Sequence, residues 1–129
     1  TQDWINEYLK RLQKYCKLEI VEVKESNPKE EGLLILRNIK DNEFVVALER
    51  VGELWKSEDF AEWLKKQFIE RNICFVIGGP EGLTSAVLSK AHLHLSLSNM
   101  TFTHQMARVI LLEQIYRAFT IMKGGSYHK

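Results

Sequence analysis

Gly78-Gly79-Pro80-Glu81-Gly82 follows the apolar run Ile73-Cys74-Phe75-Val76-Ile77 and precedes a stretch that Thr84 can cap as a helix. Glycines at such a turn allow positive φ and close approach of a ligand to the main chain. The loop is no phosphate loop, because no Gly-Lys-Ser/Thr follows, and its spacing is not that of a dinucleotide fingerprint. By spacing alone it also suits an ordinary tight turn in which Pro80 sets φ. A second loop, Ser98-Asn99-Met100-Thr101-Phe102-Thr103, leaves another strand-like run and leads into a long helix. Two loops beyond neighbouring strand ends would face one crevice.

His104 stands at the start of that helix, where the dipole lowers imidazole basicity, and reads either as a proton acceptor or as a helix cap. Arg108 lies one turn on and faces the same side. Glu113 and Arg117 have the spacing of a helix-stabilising ion pair. The tail Ser126-Tyr127-His128-Lys129 reads either as a frayed end or as an aromatic, an imidazole and a cation able to grip RNA. His92 and His94 are two apart on a strand, and with no third ligand evident they read as solvated side chains rather than a metal pair. No metal is expected.

The elements that must position these groups alternate in type. Residues 4–18 carry Trp4, Ile5, Tyr8, Leu9, Leu12 and Tyr15 on one stripe, which predicts an amphipathic helix with a basic outer face. Residues 18–23 alternate at period two and predict a strand. A helix is expected over 29–39, a buried strand over 44–48, a helix from an N-cap at Ser57 to Asn72, a strand over 73–77, a short helix capped by Thr84, a strand over 92–98 and a helix over 104–123 ended by Gly124-Gly125. Strand and helix in alternation predict a parallel sheet with helices on its faces. The last helix is apolar most of the way round, so a two-fold partner is expected to cover it, the alternative being cover by the chain's own loops.

The chain has 129 residues, 45% of them hydrophobic and 27% charged, and a net charge of +1. That is one domain's worth of globular composition without a polycationic coat. No apolar run reaches membrane-spanning length, and no signal peptide is read at the N-terminus. Two cysteines, Cys16 and Cys74, match no metal spacing and read as reduced thiols of a cytosolic protein. A start at Thr1 rather than methionine leads us to expect residues upstream.

Four separated blocks then resemble one family: 75–83 (FVIGGPEGL), 95–109 (LSLSNMTFTHQMARV), 113–118 (EQIYRA) and 127–129 (YHK), with 44–49 (FVVALE) also fitting. The chain resembles the RlmH family, bacterial SPOUT-class enzymes that methylate N3 of a pseudouridine in large-subunit ribosomal RNA. Two departures stand out. The family opens with a strand before the Trp4 helix, and its stretch between Val23 and Phe44 is longer.

The resemblance implies a single SPOUT-type domain over 1–129, an α/β fold whose C-terminal half is tied in a trefoil knot around the Gly78 and Ser98 loops. It implies S-adenosylmethionine bound by Leu48, Gly78, Leu97, Ser98, Asn99, Met100, Thr101 and Phe102, a cytoplasmic homodimer, and ribosomal RNA in the large subunit or assembled ribosome as partner. Methylating an imide nitrogen requires loss of its proton. His104 and His128 are the candidate acceptors, Arg108 or Arg117 the candidates to stabilise the imidate charge, and Tyr127 a stacking group. Gly78→Val is expected to remove cofactor binding while sparing the fold. Ile115→Asp and Phe119→Asp are expected to split a dimer. The competing readings are a non-catalytic RNA- or nucleotide-binding module on the same fold, and a small nucleotide hydrolase or kinase. The second is disfavoured by the missing Lys and Ser/Thr after the glycine loop.

Overall fold

Asn27-Pro28 begins a helix for two local reasons: the Asn27 side chain accepts from the Glu30 N–H at 2.9 Å, and Pro28 occupies the first turn, where its missing N–H costs nothing. This helix is one of eight elements in the computed structural model, which describes residues 2–16, 26–78 and 81–128. In chain order they are α1 (Gln2–Leu12), α2 (Pro28–Asn38), β1 (Glu43–Leu54), α3 (Ser57–Glu70), β2 (Asn72–Ile77), α4 (Ser85–Lys90), β3 (Leu93–Ser96) and α5 (His104–Met122). The strand expected over 18–23 lies outside the described residues.

The sheet has the order β2-β1-β3 and is parallel throughout. β1 is central, and its residues 45–48 are buried because helices cover both faces. Side chains alternate between the faces at period two. Val46, Leu48, Phe75 and Leu95 join a core shared with Ile5, Tyr8 and Leu12 of α1, Phe60 and Leu64 of α3, and Leu111, Leu112, Ile115 and Phe119 of α5. Val45 and Val76 turn the other way, onto Ile35 of α2 and Val87 of α4.

Four boundaries differ from the sequence reading. α1 ends at Leu12 and Trp4 is exposed, so its buried stripe is Ile5, Tyr8 and Leu12. Lys56 takes the N-cap position of α3, and Ser57 is its first helical residue, with its hydroxyl donating to Gln114 Oε1 at 2.6 Å. β3 is shorter than expected, and His92 precedes it. β1 runs on to Leu54. After Leu48 pairs with Leu95, residues 49–52 leave the ladder, and Glu53 pairs with Leu95 again. Gly52 makes the return fit, since a Cβ there would lie 2.9 Å from the His94 carbonyl group.

The two-sided apolar character of α5 is largely satisfied within the chain, because α1 and α3 both pack on it. Phe119 lies between Tyr15, stacked at 5.2 Å, and Phe68, edge-on at 5.3 Å. Ile115 and Phe119 are buried in the core of their own protomer. An aspartate at either would therefore disrupt this core itself, which corrects the expectation that it would act at a dimer interface.

Candidate functional site

Parallel strands bring their C-terminal ends to one edge, and the register makes this specific. Leu48 of β1 is flanked by Ile77 of β2 and Leu95 of β3. Gly78 directly follows Ile77, and Leu97 lies two residues past Leu95, so Leu48, Gly78 and Leu97 converge. Residues 97–103 belong to no helix or strand. The Ser96 hydroxyl donates to the Ser98 carbonyl at 2.8 Å, and Ser98 Oγ accepts from the Met100 N–H at 3.0 Å. Thr103 closes the loop by capping α5, accepting from the Met106 N–H at 3.2 Å.

No charged residue occurs in 97–103, and Met100 and Phe102 are exposed. Such a loop offers main-chain donors and acceptors together with apolar side chains. That donor set fits a ligand with a flat heterocycle and a zwitterionic end, of the kind S-adenosylmethionine carries.

Gly78 serves the loop before any ligand. A Cβ there would lie 2.8 Å from the Gly82 carbonyl carbon and 3.0 Å from the Leu83 side chain. Gly78→Val must therefore rebuild the glycine loop, which corrects the expectation that it would spare the fold.

His104 and Arg108 occupy the first turns of α5, with Thr103 rather than His104 as the cap. Arg117, Tyr127 and His128 gather elsewhere. Arg117 is thirteen residues beyond His104 along the helix, roughly 20 Å at 1.5 Å per residue. The candidate catalytic residues thus form two groups rather than one.

The second group is a closed network, because the tail folds back after α5 with the Gly125 N–H on the Thr120 carbonyl at 2.8 Å. Glu113 accepts from Arg117 Nε at 3.1 Å and Nη2 at 2.6 Å, and from the Tyr127 hydroxyl at 2.9 Å. Arg117 Nη1 reaches His128 Nδ1 at 2.9 Å, and His128 Nε2 reaches Glu58 Oε2 of α3 at 3.1 Å. The Tyr127 ring stands edge-on to Tyr116 at 4.8 Å, and its hydroxyl is 3.4 Å from that of Tyr8.

Burial pushes the Glu113 carboxyl up, but donors from Arg117, Tyr127 and Gln114 outweigh it and hold it below the usual carboxylate range. Burial, the Tyr8 hydroxyl and Glu113 push the Tyr127 phenol above its ordinary value, so it remains a donor. The ion pair expected at Glu113 and Arg117 is present, and the tail is docked on it.

Over residues 1–128 the chain matches the family described as "Predicted SPOUT methyltransferase". It belongs to the SPOUT methyltransferase family. A ribosomal RNA large subunit methyltransferase H of Clostridium botulinum (strain Okra / Type B1) is 50% identical over 140 residues, covering 97% of this chain and 88% of the relative. The protein of the same name from Clostridium acetobutylicum is 46% identical over 143 residues, covering 99% and 90%. Both alignments exceed the 129 residues of this SPOUT chain, so the relatives carry extra residues within the matched span.

The remaining histidines have local partners in this SPOUT chain. His92 Nδ1 accepts from the Val45 N–H at 2.9 Å, and its ring stacks on Phe44 at 4.9 Å. His94 Nδ1 bonds to Glu49 Oε2. His92 is exposed and the His94 side chain is 42% exposed, as the reading of solvated side chains expects, although His92 precedes β3. Among the described residues no three His, Cys, Asp or Glu side chains gather as a metal site, and no helix is long and apolar enough to cross a membrane. Burial pushes the Cys74 thiol up to about 11 and raises that of Cys16, so neither is poised as a nucleophile.

A cleft of about 160 Å³ opens where Ser96 and Leu97 meet Ser57 of α3 and Gln114 of α5. It is smaller than the roughly 300–1,000 Å³ of a small-molecule pocket. Sequence reasoning missed Glu58, Tyr8 and Gly52. Glu58 carried a signal only as an acid in a first helical turn, and nothing local ties it to His128.

Proposed function

We propose that this chain transfers a methyl group from S-adenosylmethionine to N3 of a pseudouridine in large-subunit (23S) ribosomal RNA, acting in the cytoplasm as a homodimer without a metal. The chain from 1 to 129 serves as one methyltransferase domain, with the knot of its class around the Gly78 and Ser98 loops. The observation that carries the reading is the convergence of Leu48, Gly78 and Leu97 at the ends of three parallel strands, beside a loop rich in main-chain groups. The name of the relatives supplies the RNA.

Leu48, Gly78 and residues 97–102 would hold the cofactor, mainly through main-chain groups. When bound, it supplies an activated methyl group, so no Lewis acid is required. The protein's own task is to orient the acceptor nitrogen and remove its proton. His104 and His128 are the proton acceptors on offer, and Arg108 or Arg117 would meet the developing imidate charge. Tyr127, held as a neutral phenol, can stack on or donate to the base. Met100, Phe102 and Met106 leave apolar surface that a cofactor and a second copy would cover.

Calorimetry with S-adenosylmethionine, followed by mass mapping of ribosomal RNA after incubation with ribosomes lacking the modification, tests the reading. Cofactor binding and a gain of one methyl on a pseudouridine are expected. RNA binding without cofactor binding would establish a binding module instead.

A further inference from the structure

His128 makes two hydrogen bonds whose partners leave no choice of protonation state. Arg117 has only donors, so at 2.9 Å His128 Nδ1 must accept and be unprotonated. The proton of the neutral ring is then on Nε2, and it points at Glu58 Oε2 at 3.1 Å. A ring protonated on both nitrogens would turn an N–H toward the guanidinium and lose that contact.

From this arrangement we infer that Glu58 is a positioning residue for methyl transfer: its carboxylate accepts the His128 Nε2 proton and so keeps Nδ1 as the basic nitrogen. The inference rests on the proposed function and takes His128, one of its two candidate acceptors, as the group that receives the imide proton. In imidazole chemistry the hydrogen bond at one nitrogen selects the role of the other.

The surroundings agree. Glu58 is the second residue of α3, where the helix start favours a carboxylate, and its carboxyl is held below the usual range by the hydrogen bond from His128. Lys56, the N-cap of α3, lies beside it and adds positive charge. On the other side α5 presents Arg117, whose own charge is matched by Glu113. From α1, Tyr8 touches Tyr127 rather than the imidazole. Glu58 is thus the one carboxylate bonded to the ring among the described residues, and Arg117 is the group that must move aside when Nδ1 receives a proton.

Long-range proton–nitrogen NMR spectra of protein labelled at its four histidines test this, with His128→Ala giving the assignment. Neutral His128 is expected to carry its proton on Nε2. Glu58→Ala should mix the two tautomers and lower kcat about two- to tenfold, the size of one lost hydrogen bond, without changing KM or cofactor affinity. Glu58→Gln keeps an acceptor oxygen and should recover both tautomer and rate. A proton on Nδ1 in the wild type, or an unchanged kcat in Glu58→Ala, would overturn the inference. If His128→Ala itself keeps full activity, the base role of the tail falls and the positioning role with it. That case is told apart by a wild-type spectrum that still shows the Nε2 proton.

Discussion

Glu113 binds the docked tail to the body of the protein, because one carboxylate there receives Arg117, Tyr127 and Gln114. Its pKa is depressed in the folded state. Such a group stabilises the fold above the ordinary carboxylate pKa, and that contribution is lost as pH falls through the lower, folded value. Glu113→Gln should therefore cost about 1–3 kcal/mol at pH 7, since it also leaves Arg117 without its charge partner. The difference should shrink as pH is lowered from 7 toward 3, as the Glu113 carboxylate begins to take up its proton. Urea unfolding at the two pH values measures this, and an equal gap at both would refute it. The Glu113–Arg117 pair was legible in the sequence because a helix fixes which side chains meet four residues apart. Glu58 with His128 was not, since the two are seventy residues apart and only the folded chain brings them together.

Strands and helices were readable wherever a short apolar run or a clean stripe decided the matter. The parallel arrangement followed from their alternation, and the meeting of Leu48, Gly78 and Leu97 follows from that arrangement. β1 beyond Leu48 was not readable. Glu49, Arg50 and Glu53 break the apolar pattern, and the ladder resumes only because the main chain of Gly52 passes against His94. Backbone-to-backbone approach of this kind has no side-chain signature. Gly52→Ala should accordingly lose about 1–3 kcal/mol through overpacking between β1 and β3, although alanine is the smallest possible change. Gly78→Val should lose stability as well as ligand binding, because the clash is with Gly82. Thermal unfolding without any cofactor checks both, and a wild-type Tm in either variant would show that the neighbouring strand or loop yields freely.

At the scale of the whole molecule, the two groups of candidate residues on α5 lie too far apart along one helix to attend the same atom. His104 borders one end of the loop proposed for the cofactor, and Arg117 sits roughly 20 Å along the axis. The other end of the loop, at Leu97, meets Ser57 and Gln114 beside the residues that hold the tail. The proposed two-fold partner would bridge the separation if it brought the tail of one copy to the His104 end of the other copy's loop. Met100, Phe102 and Met106 are exposed near that loop and would supply apolar surface for such a contact. Removing residues 126–129 should leave cofactor affinity nearly unchanged and abolish most methyl transfer to ribosomes. Tail-deleted chains mixed with chains carrying an intact tail but a disabled cofactor loop should regain activity, since each mixed dimer contains one complete site. Calorimetry and methyl transfer before and after mixing and re-equilibration read this out. No recovery in mixed dimers would mean that each tail serves its own protomer. Full activity of the truncated chain alone would remove the tail from the reaction.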